Sequence, residues 1–523
     1  MPGQSSYPRP SAPVPHSLAE LAALLGASIN AEDGGVVVTG VTNASDSVRP
    51  GDLFAALPGA RAHGARFASA AAHAGAAAVL TDAAGAEALA TEAARGVSDI
   101  DLPVLVVDDP RQRLGEVAAV VYGQPARKMR IIGITGTAGK TSTAYLIESG
   151  LRAAGHVTGL VGTVETRMGD LVIESVRTTP EASDLHAIFA VAAERGVTAV
   201  VMEVSSHALA LARVGGVHFV VGGYTNFGTD HLDFHRDADD YFAAKALLFD
   251  GRCDVEVLNH DDAALRPLYT PETITYSAAG DAAASWRAAD INDDGYAQTF
   301  TAYGPDGIVV KAGVALPGRH NIANALLAIA SLTAVGVDPQ VAANGVAACL
   351  GVPGRLERVA AAGPVTGVVD YAHKPDAIVA ALAALRELAG DHRVICVLGA
   401  GGDRDRGKRT LMGAAAARGC DLLIVSDDNP RTEDPAVIRA EILRGAVGAG
   451  MASTEIVEVD GRRAAITEAV RRAAPGDVIA LLGKGHERGQ EIHGEIHPFD
   501  DRVELAAALN ERFAGTEGSG AGA

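Results

Sequence analysis

The chain has 523 residues, too many for one hydrophobic core, so two to four domains are expected. With 48% hydrophobic and 21% charged residues it has the composition of a soluble globular protein, and a formal charge of −20 excludes broad binding to nucleic acid or an anionic membrane. Four scattered cysteines (Cys253, Cys349, Cys396 and Cys420) and no apolar run near the ~20 residues that span a bilayer predict a reduced, cytoplasmic protein, expected as a monomer.

Residues 1–16 are Pro- and Ser-rich, lack the apolar stretch of a signal peptide, and read as a disordered arm. From 17 to 125, short strands such as "GGVVVTGVT" and "AAAVLTD" alternate with Ala-rich helices, giving a small α/β domain. A linker, "VYGQPARKMR", leads into a central domain over 126–351. There the strand "IIGIT" runs through a loop into the helix "KTSTAYLIESGLRAAG", and a β-rich insertion is expected near 268–316. The third domain, 352–514, carries three apolar strands, "RVICVLG", "DLLIVS" and "DVIALLG", each running into a polar loop; 515–523 reads as a disordered tail. Strands alternating with helices predict parallel sheets and an α/β fold class.

"GITGTAGKTSTA" (Gly133–Ala144) follows a strand and opens a helix. Glycines let a backbone wrap round phosphate oxygens, and a helix start offers free N–H groups. The compact loop Gly136-Thr137-Ala138-Gly139-Lys140-Thr141, followed by Ser142, departs from the usual GxxxxGK[ST], since Ile134 stands five before Gly139. ATP is the expected ligand, with Lys140 reaching its terminal phosphates and Thr141 meeting Mg²⁺.

That shortened loop resembles the Mur ligase superfamily, ATP-dependent amide-forming enzymes that build the peptidoglycan stem peptide. The resemblance extends over nearly the whole chain. It implies three domains: a small UDP-binding α/β domain, a central P-loop ATPase-like domain with a parallel or mixed sheet, and a Rossmann-like C-terminal domain. Glu203, ending the apolar strand "TAVVME", is suited to Mg²⁺. In "TNFGTDHLDFH" the resemblance gives His231 a second metal; His207, on the loop after Glu203, is expected to help orient groups near the phosphate. Lys245 is the one charge in "YFAAKALLF". The residues alone favour snorkelling to solvent; the resemblance implies instead a desolvated amine carbamylated by CO₂, an N6-carboxylysine that holds Mg²⁺. "LPGRHNIANALLA" resembles G-x-H-N-x-x-N, placing Asn321 on the nucleotide, though ordinary capping by Asn321 and Asn324 holds equally. In "VDYAHKPDA", Lys374 replaces the family's Asn.

"VTNASDSVRPGDLFAAL" resembles the N-terminal domain of the family member that adds the third stem residue, with Ser45 on the uridine and Ala60–Ala62 near the diphosphate. Thr178, Thr179, Ser205 and Arg213 fall on the family's contacts to the UDP-muramoyl dipeptide, while Leu211 replaces a common Gln. The three C-terminal loops bring Arg404, Asp428, Asn429, Pro430, Arg431, Gly483 and Glu487 towards the crevice beyond the strand ends. Two arginines with acids suit a zwitterion. In the family, D-N-P-R accompanies diaminopimelate, which carries one more carboxylate than lysine. Lysine would leave Arg431 unpaired, costing roughly 2–5 kcal/mol.

The implied reaction adds 2,6-diaminopimelate to the D-Glu side-chain carboxylate of UDP-N-acetylmuramoyl-L-Ala-D-Glu through an acyl phosphate. Lys140, Glu203, His231 and Lys245 are its expected catalytic residues. A folylpolyglutamate synthetase-type ligase would share the phosphate loop without the arginine pair. A non-catalytic homologue should have lost Lys140, Glu203 or Lys245, and all three stand.

Overall fold

A computed structural model describes residues 7–59, 62–95 and 102–513. They fall into two compact units, divided between 276 and 277, 326 and 327, and 345 and 346, the first unit taking 327–345 and the second 277–326.

The first unit holds two larger sheets beside the two-stranded pair His16–Ser17/Val37–Val38. A four-stranded parallel sheet runs in chain order through Gly40–Thr42, Asp52–Ala55, Ala78–Thr81 and Val104–Val106. In the second, the phosphate-loop strand Arg130–Thr135 lies between Ala199–Glu203 and Phe219–Tyr224, both parallel to it. Outward lie Thr158–Val161 and the antiparallel hairpin Glu165–Met168/Leu171–Glu174 on one side, and Cys253–Asn259 on the other. All five residues of "AVVME" are buried, because helices cover both faces of a parallel sheet and its strands read as unbroken apolar runs.

The second unit contains the expected β-rich insertion as three antiparallel strands, Trp286–Asp294, Ala297–Tyr303 and Val309–Val314. Its main sheet places Val478–Leu482 beside Val394–Leu398, which adjoins Leu422–Val425. These are the three apolar strands read from the sequence, and they are parallel neighbours. Their C-terminal ends therefore open side by side, at the edge where open α/β sheets bind ligands. A hairpin, Gly489–Ile492/Glu495–Pro498, follows the last of them.

One expectation changes. The arm over 1–16 is anchored from Tyr7 onward: Tyr7 is only 7% exposed among Ile131, Leu185 and Phe189, and Arg9 pairs with Asp52. An aromatic ring and a guanidinium hold a segment whose Pro and Ser content signals disorder. The arm's first six residues, the tail at 515–523, and Ala60 and Arg61 lie outside the described residues. None of the four cysteines is in a disulfide. Among the described residues, no helix is long and apolar enough to cross a membrane.

Candidate active site

The phosphate loop turns on two glycines. Gly139 takes φ 86° at the helix start, and Gly136 takes φ 138°. A Cβ on Gly136 would stand 1.8 Å from Thr225 Oγ1. The loop is stitched to the segment after strand Phe219–Tyr224. Thr225 Oγ1 donates to the Ala138 carbonyl at 2.6 Å, the Ala138 amide to Asn226 Oδ1 at 3.1 Å, and the Gly228 amide to Thr137 Oγ1 at 3.0 Å. The helix Lys140–Ala153 then buries Thr141 and Ser142 in its first turn.

The neighbouring strand delivers Glu203, 1% exposed. Its carboxylate accepts from Thr141 Oγ1 at 3.0 Å, the Thr163 amide at 2.7 Å and Thr163 Oγ1 at 3.1 Å. All three donors are neutral, and no basic side chain pairs with Glu203 among the described residues. A buried anion held by neutral donors beside a helix-start hydroxyl fits a hard cation such as Mg²⁺, which prefers oxygen ligands. No three His, Cys, Asp or Glu side chains converge as a metal cage among the described residues.

Lys245 does not snorkel. It is 1% exposed, its Nζ donates to the Gly136 carbonyl at 2.8 Å, and it lies 4.6 Å from the centre of the Tyr241 ring. The helix Ala238–Ala246 turns this face inward, against the phosphate loop. Lys140 Nζ donates to the same carbonyl at 2.7 Å. Two lysines thus meet on one oxygen, and a carbamate on Lys245 would turn a pair of like charges into opposite ones. Tyr241 also joins Thr137 Oγ1 at 3.2 Å and borders a histidine cluster. There His231, at φ 53°, meets the His207 ring edge-on at 4.7 Å, and His207 stacks on Phe234 at 4.1 Å. Burial, then the charges of His235 and Arg213, hold His207 below the usual imidazole range.

The expected dipeptide contacts adjoin Glu203. Thr178 Oγ1 meets Thr163 Oγ1 at 3.0 Å, and Thr179 Oγ1 donates to the Glu203 carbonyl at 2.8 Å. Ser205 caps the short helix Ser206–Ala210, and Arg213 pairs with Glu181 at 2.9 Å. Thr163 links the metal-fitting carboxylate to Thr178; one Thr after a strand carries no motif, and sequence reading passed it over. Ser45 sits at the start of the turn Ser45–Ser47, partly exposed.

In the second unit, Asn321 is buried and occupied within its helix, its Nδ2 donating to the Pro317 carbonyl at 2.7 Å and its Oδ1 accepting from Asn324 at 3.0 Å. The C-terminal loops meet as expected. Asn429 Nδ2 donates to Glu487 Oε2 at 2.8 Å, and a Cβ on Gly483 would lie 2.7 Å from Asp428 Oδ2. Burial, then the Asp428 charge, raises the Glu487 carboxyl above its ordinary range. Lys484, fully buried, reaches Asn429 Oδ1 and Glu487 Oε2, both at 3.2 Å, and was not singled out from the sequence. Arg404 is exposed at the rim. Pro430 carries the loop into Arg431, whose backbone is left-handed at φ 52°.

Arg431 is not left bare. Its Nε donates to Glu491 Oε2 at 3.0 Å and its Nη1 to the Gly402 carbonyl at 2.6 Å. The expectation that lysine would strand an unpaired guanidinium is therefore corrected: Glu491, from the hairpin, already balances it.

Three models of one family match the chain. The Mur ligase family catalytic domain matches residues 37–122, the Mur ligase middle domain 134–332, and the Mur ligase glutamate ligase domain 354–485. The chain is 52% identical to a UDP-N-acetylmuramoyl-L-alanyl-D-glutamate–2,6-diaminopimelate ligase of Streptomyces coelicolor, over 97% of this chain and 99% of that one. It is 46% identical to the ligase of that name from Corynebacterium glutamicum, over 88% and 89%. A solved structure of a ligase of that name superposes with a TM-score of 0.67 at 30% identity, covering 95% of this chain and 99% of the other. The chain belongs to the Mur ligase family.

Proposed function

We propose that this ligase joins 2,6-diaminopimelate to the D-Glu side-chain carboxylate of UDP-N-acetylmuramoyl-L-Ala-D-Glu, in the cytoplasm and at the expense of ATP. The observation that carries the reading is that loops from the strands on either side of Val394–Leu398 bring Asn429 onto Glu487, with Asp428 and Arg431 on the same loop as Asn429: acids for an ammonium, a guanidinium for a carboxylate.

The phosphate loop, with Gly136, Thr137, Ala138, Gly139, Thr141 and Ser142, cradles the nucleotide phosphates, and Asn321 contacts the nucleotide. Lys140 swings from the Gly136 carbonyl onto the γ-phosphate and neutralises charge as the D-Glu carboxylate attacks it, the γ-phosphorus–oxygen bond to ADP breaks and ADP leaves with its electron pair. Thr141, Glu203, His231 and Lys245, as its carbamate, are the residues that would hold Mg²⁺, which shields the phosphate oxygens when bound. Ser45, Thr178, Thr179, Ser205 and Arg213 seat the UDP-muramoyl dipeptide so that its carboxylate lies near the loop. Asp428 and Glu487 orient the incoming amine and Arg431 reads the far carboxylate, with Arg404 a second cation at the rim. The neutral amine attacks the acyl phosphate at its carbonyl carbon, the C–N bond forms, phosphate leaves with the C–O bond electrons, and the nitrogen gives up one proton to solvent. Phosphate release should require ATP, the UDP-muramoyl dipeptide and diaminopimelate together; release with a folate and glutamate instead would overturn the reading.

A further inference from the structure

We infer that the N-terminal segment Tyr7–Ala12 is a strap that positions the UDP-binding turn, with Arg9 its positioning residue; this rests on reading Ser45 as a uridine contact. Three contacts on different elements carry it. At one end, the Tyr7 ring is 7% exposed in the core beneath the phosphate-loop sheet, with Ile131, Leu185 and Phe189. At the other, the Ser11 and Ala12 amides donate to the Glu194 carboxylate at 2.8 and 3.2 Å. Between them Arg9, its side chain 12% exposed, reaches across to the four-stranded sheet and pairs with Asp52, whose side chain is 2% exposed.

The pair grips the turn that carries Ser45. Arg9 Nη2 donates to the Ser47 carbonyl at 3.3 Å, and Asp52 Oδ2 accepts the Arg49 amide at 2.7 Å. Guanidinium and carboxylate thus hold the last residue of Ser45–Ser47 and the chain two residues beyond it. Space is reserved for them: a Cβ on Gly40 would stand 2.2 Å from Asp52 Oδ1 and 2.7 Å from Arg9 Nη1. A charged hydrogen bond in a 12%-exposed setting fixes geometry in a way a solvated one does not. The strap ties the turn to the sheet that bears the phosphate loop, so the distance from uridine to the reacting carboxylate is set by a segment outside both sheets.

The test uses the full-length enzyme and compares Arg9→Ala, Arg9→Lys, Tyr7→Ala, the Arg9/Tyr7 double variant and Ser45→Ala. Arg9→Ala is expected to raise KM for the UDP-muramoyl dipeptide about fivefold or more, with kcat and the KM values for ATP and diaminopimelate within about twofold. Tyr7→Ala frees the other end and should give a similar rise, the double variant no more than either alone. Arg9→Lys keeps the charge but not the fork, and should hold the melting temperature while still raising that KM. If the Arg9 variants lower only the melting temperature, or if the Arg9 and Tyr7 effects multiply, the strap is overturned. Ser45→Ala then separates the causes: a KM change there with none for Arg9 rejects the strap alone, and no change in either rejects the uridine reading as well.

Discussion

Arg431 and Glu491 are joined twice. The guanidinium Nε donates to Glu491 Oε2 at 3.0 Å, and the Arg431 amide donates to the Glu491 carbonyl at the same distance. With Nη1 on the Gly402 carbonyl, Nη2 is the edge without a protein acceptor among the described residues. On the proposed reading of Arg431, discrimination arises from what diaminopimelate gains on that edge, not from a penalty that lysine incurs. Arg431→Ala is expected to raise KM for diaminopimelate about 10- to 100-fold, the size of one lost charged hydrogen bond, while lysine turnover changes less than about threefold. Steady-state kinetics with both amino acids checks this; a parallel loss for lysine would mean that Arg431 only supports the loop.

Glu491 should act through that guanidinium. Its side chain is 38% exposed, so its effect is modest: Glu491→Ala is expected to raise KM for diaminopimelate about two- to fivefold, and Glu491→Gln, which still accepts from Nε, to stay near wild type. If Glu491 instead competed with the substrate's carboxylate, the alanine variant would bind more tightly, and titration calorimetry would show it.

Glu487 gives a pH dependence. Its carboxyl is raised above the ordinary range by burial and by Asp428, so it takes up a proton at a higher pH than an exposed glutamate. If Glu487 holds the substrate's ammonium as proposed, the neutral acid loses that attraction. Diaminopimelate affinity should therefore fall as the pH drops towards the raised value, before ordinary carboxylates titrate. Glu487→Gln should bind weakly at every pH with a flattened profile, and an unchanged profile in calorimetry would place the titration elsewhere.

Lys245→Met separates chemistry from stability. Methionine fills the same buried space, and Lys140 still satisfies the Gly136 carbonyl, so the melting temperature should move by no more than about 4 °C. Phosphate release should fall by about 100-fold or more. In CO₂-depleted buffer the native enzyme should lose activity and regain it with bicarbonate, and the variant should not respond. Native activity indifferent to CO₂ would exclude the carbamate.

The strands and the phosphate loop were legible in the sequence because each is a local pattern: unbroken apolar runs such as "AVVME" and "VIALL", and glycines at fixed offsets before Lys140. The convergence of the C-terminal loops followed from parallel strand order alone. What escaped reading was set by partners distant in sequence. Glu491 lies 60 residues from Arg431, in a hairpin whose polar residues resemble any exposed turn. Thr163 matters only because the strand just before it, Thr158–Val161, neighbours the one ending at Glu203. Lys245 misled on its own terms, since one Lys in an apolar helix usually snorkels, and only the phosphate loop packed over it makes the inward position tenable. Arg9 was hidden by the prolines and serines around it, whose composition says nothing about a single guanidinium anchored 43 residues away.

The most direct measurement is phosphate release by the native enzyme with ATP, Mg²⁺ and UDP-N-acetylmuramoyl-L-Ala-D-Glu, comparing diaminopimelate with lysine at equal concentration. The account predicts rapid release with diaminopimelate and a kcat/KM for lysine lower by about 10-fold or more. Equal turnover of the two, or preference for lysine, would contradict it.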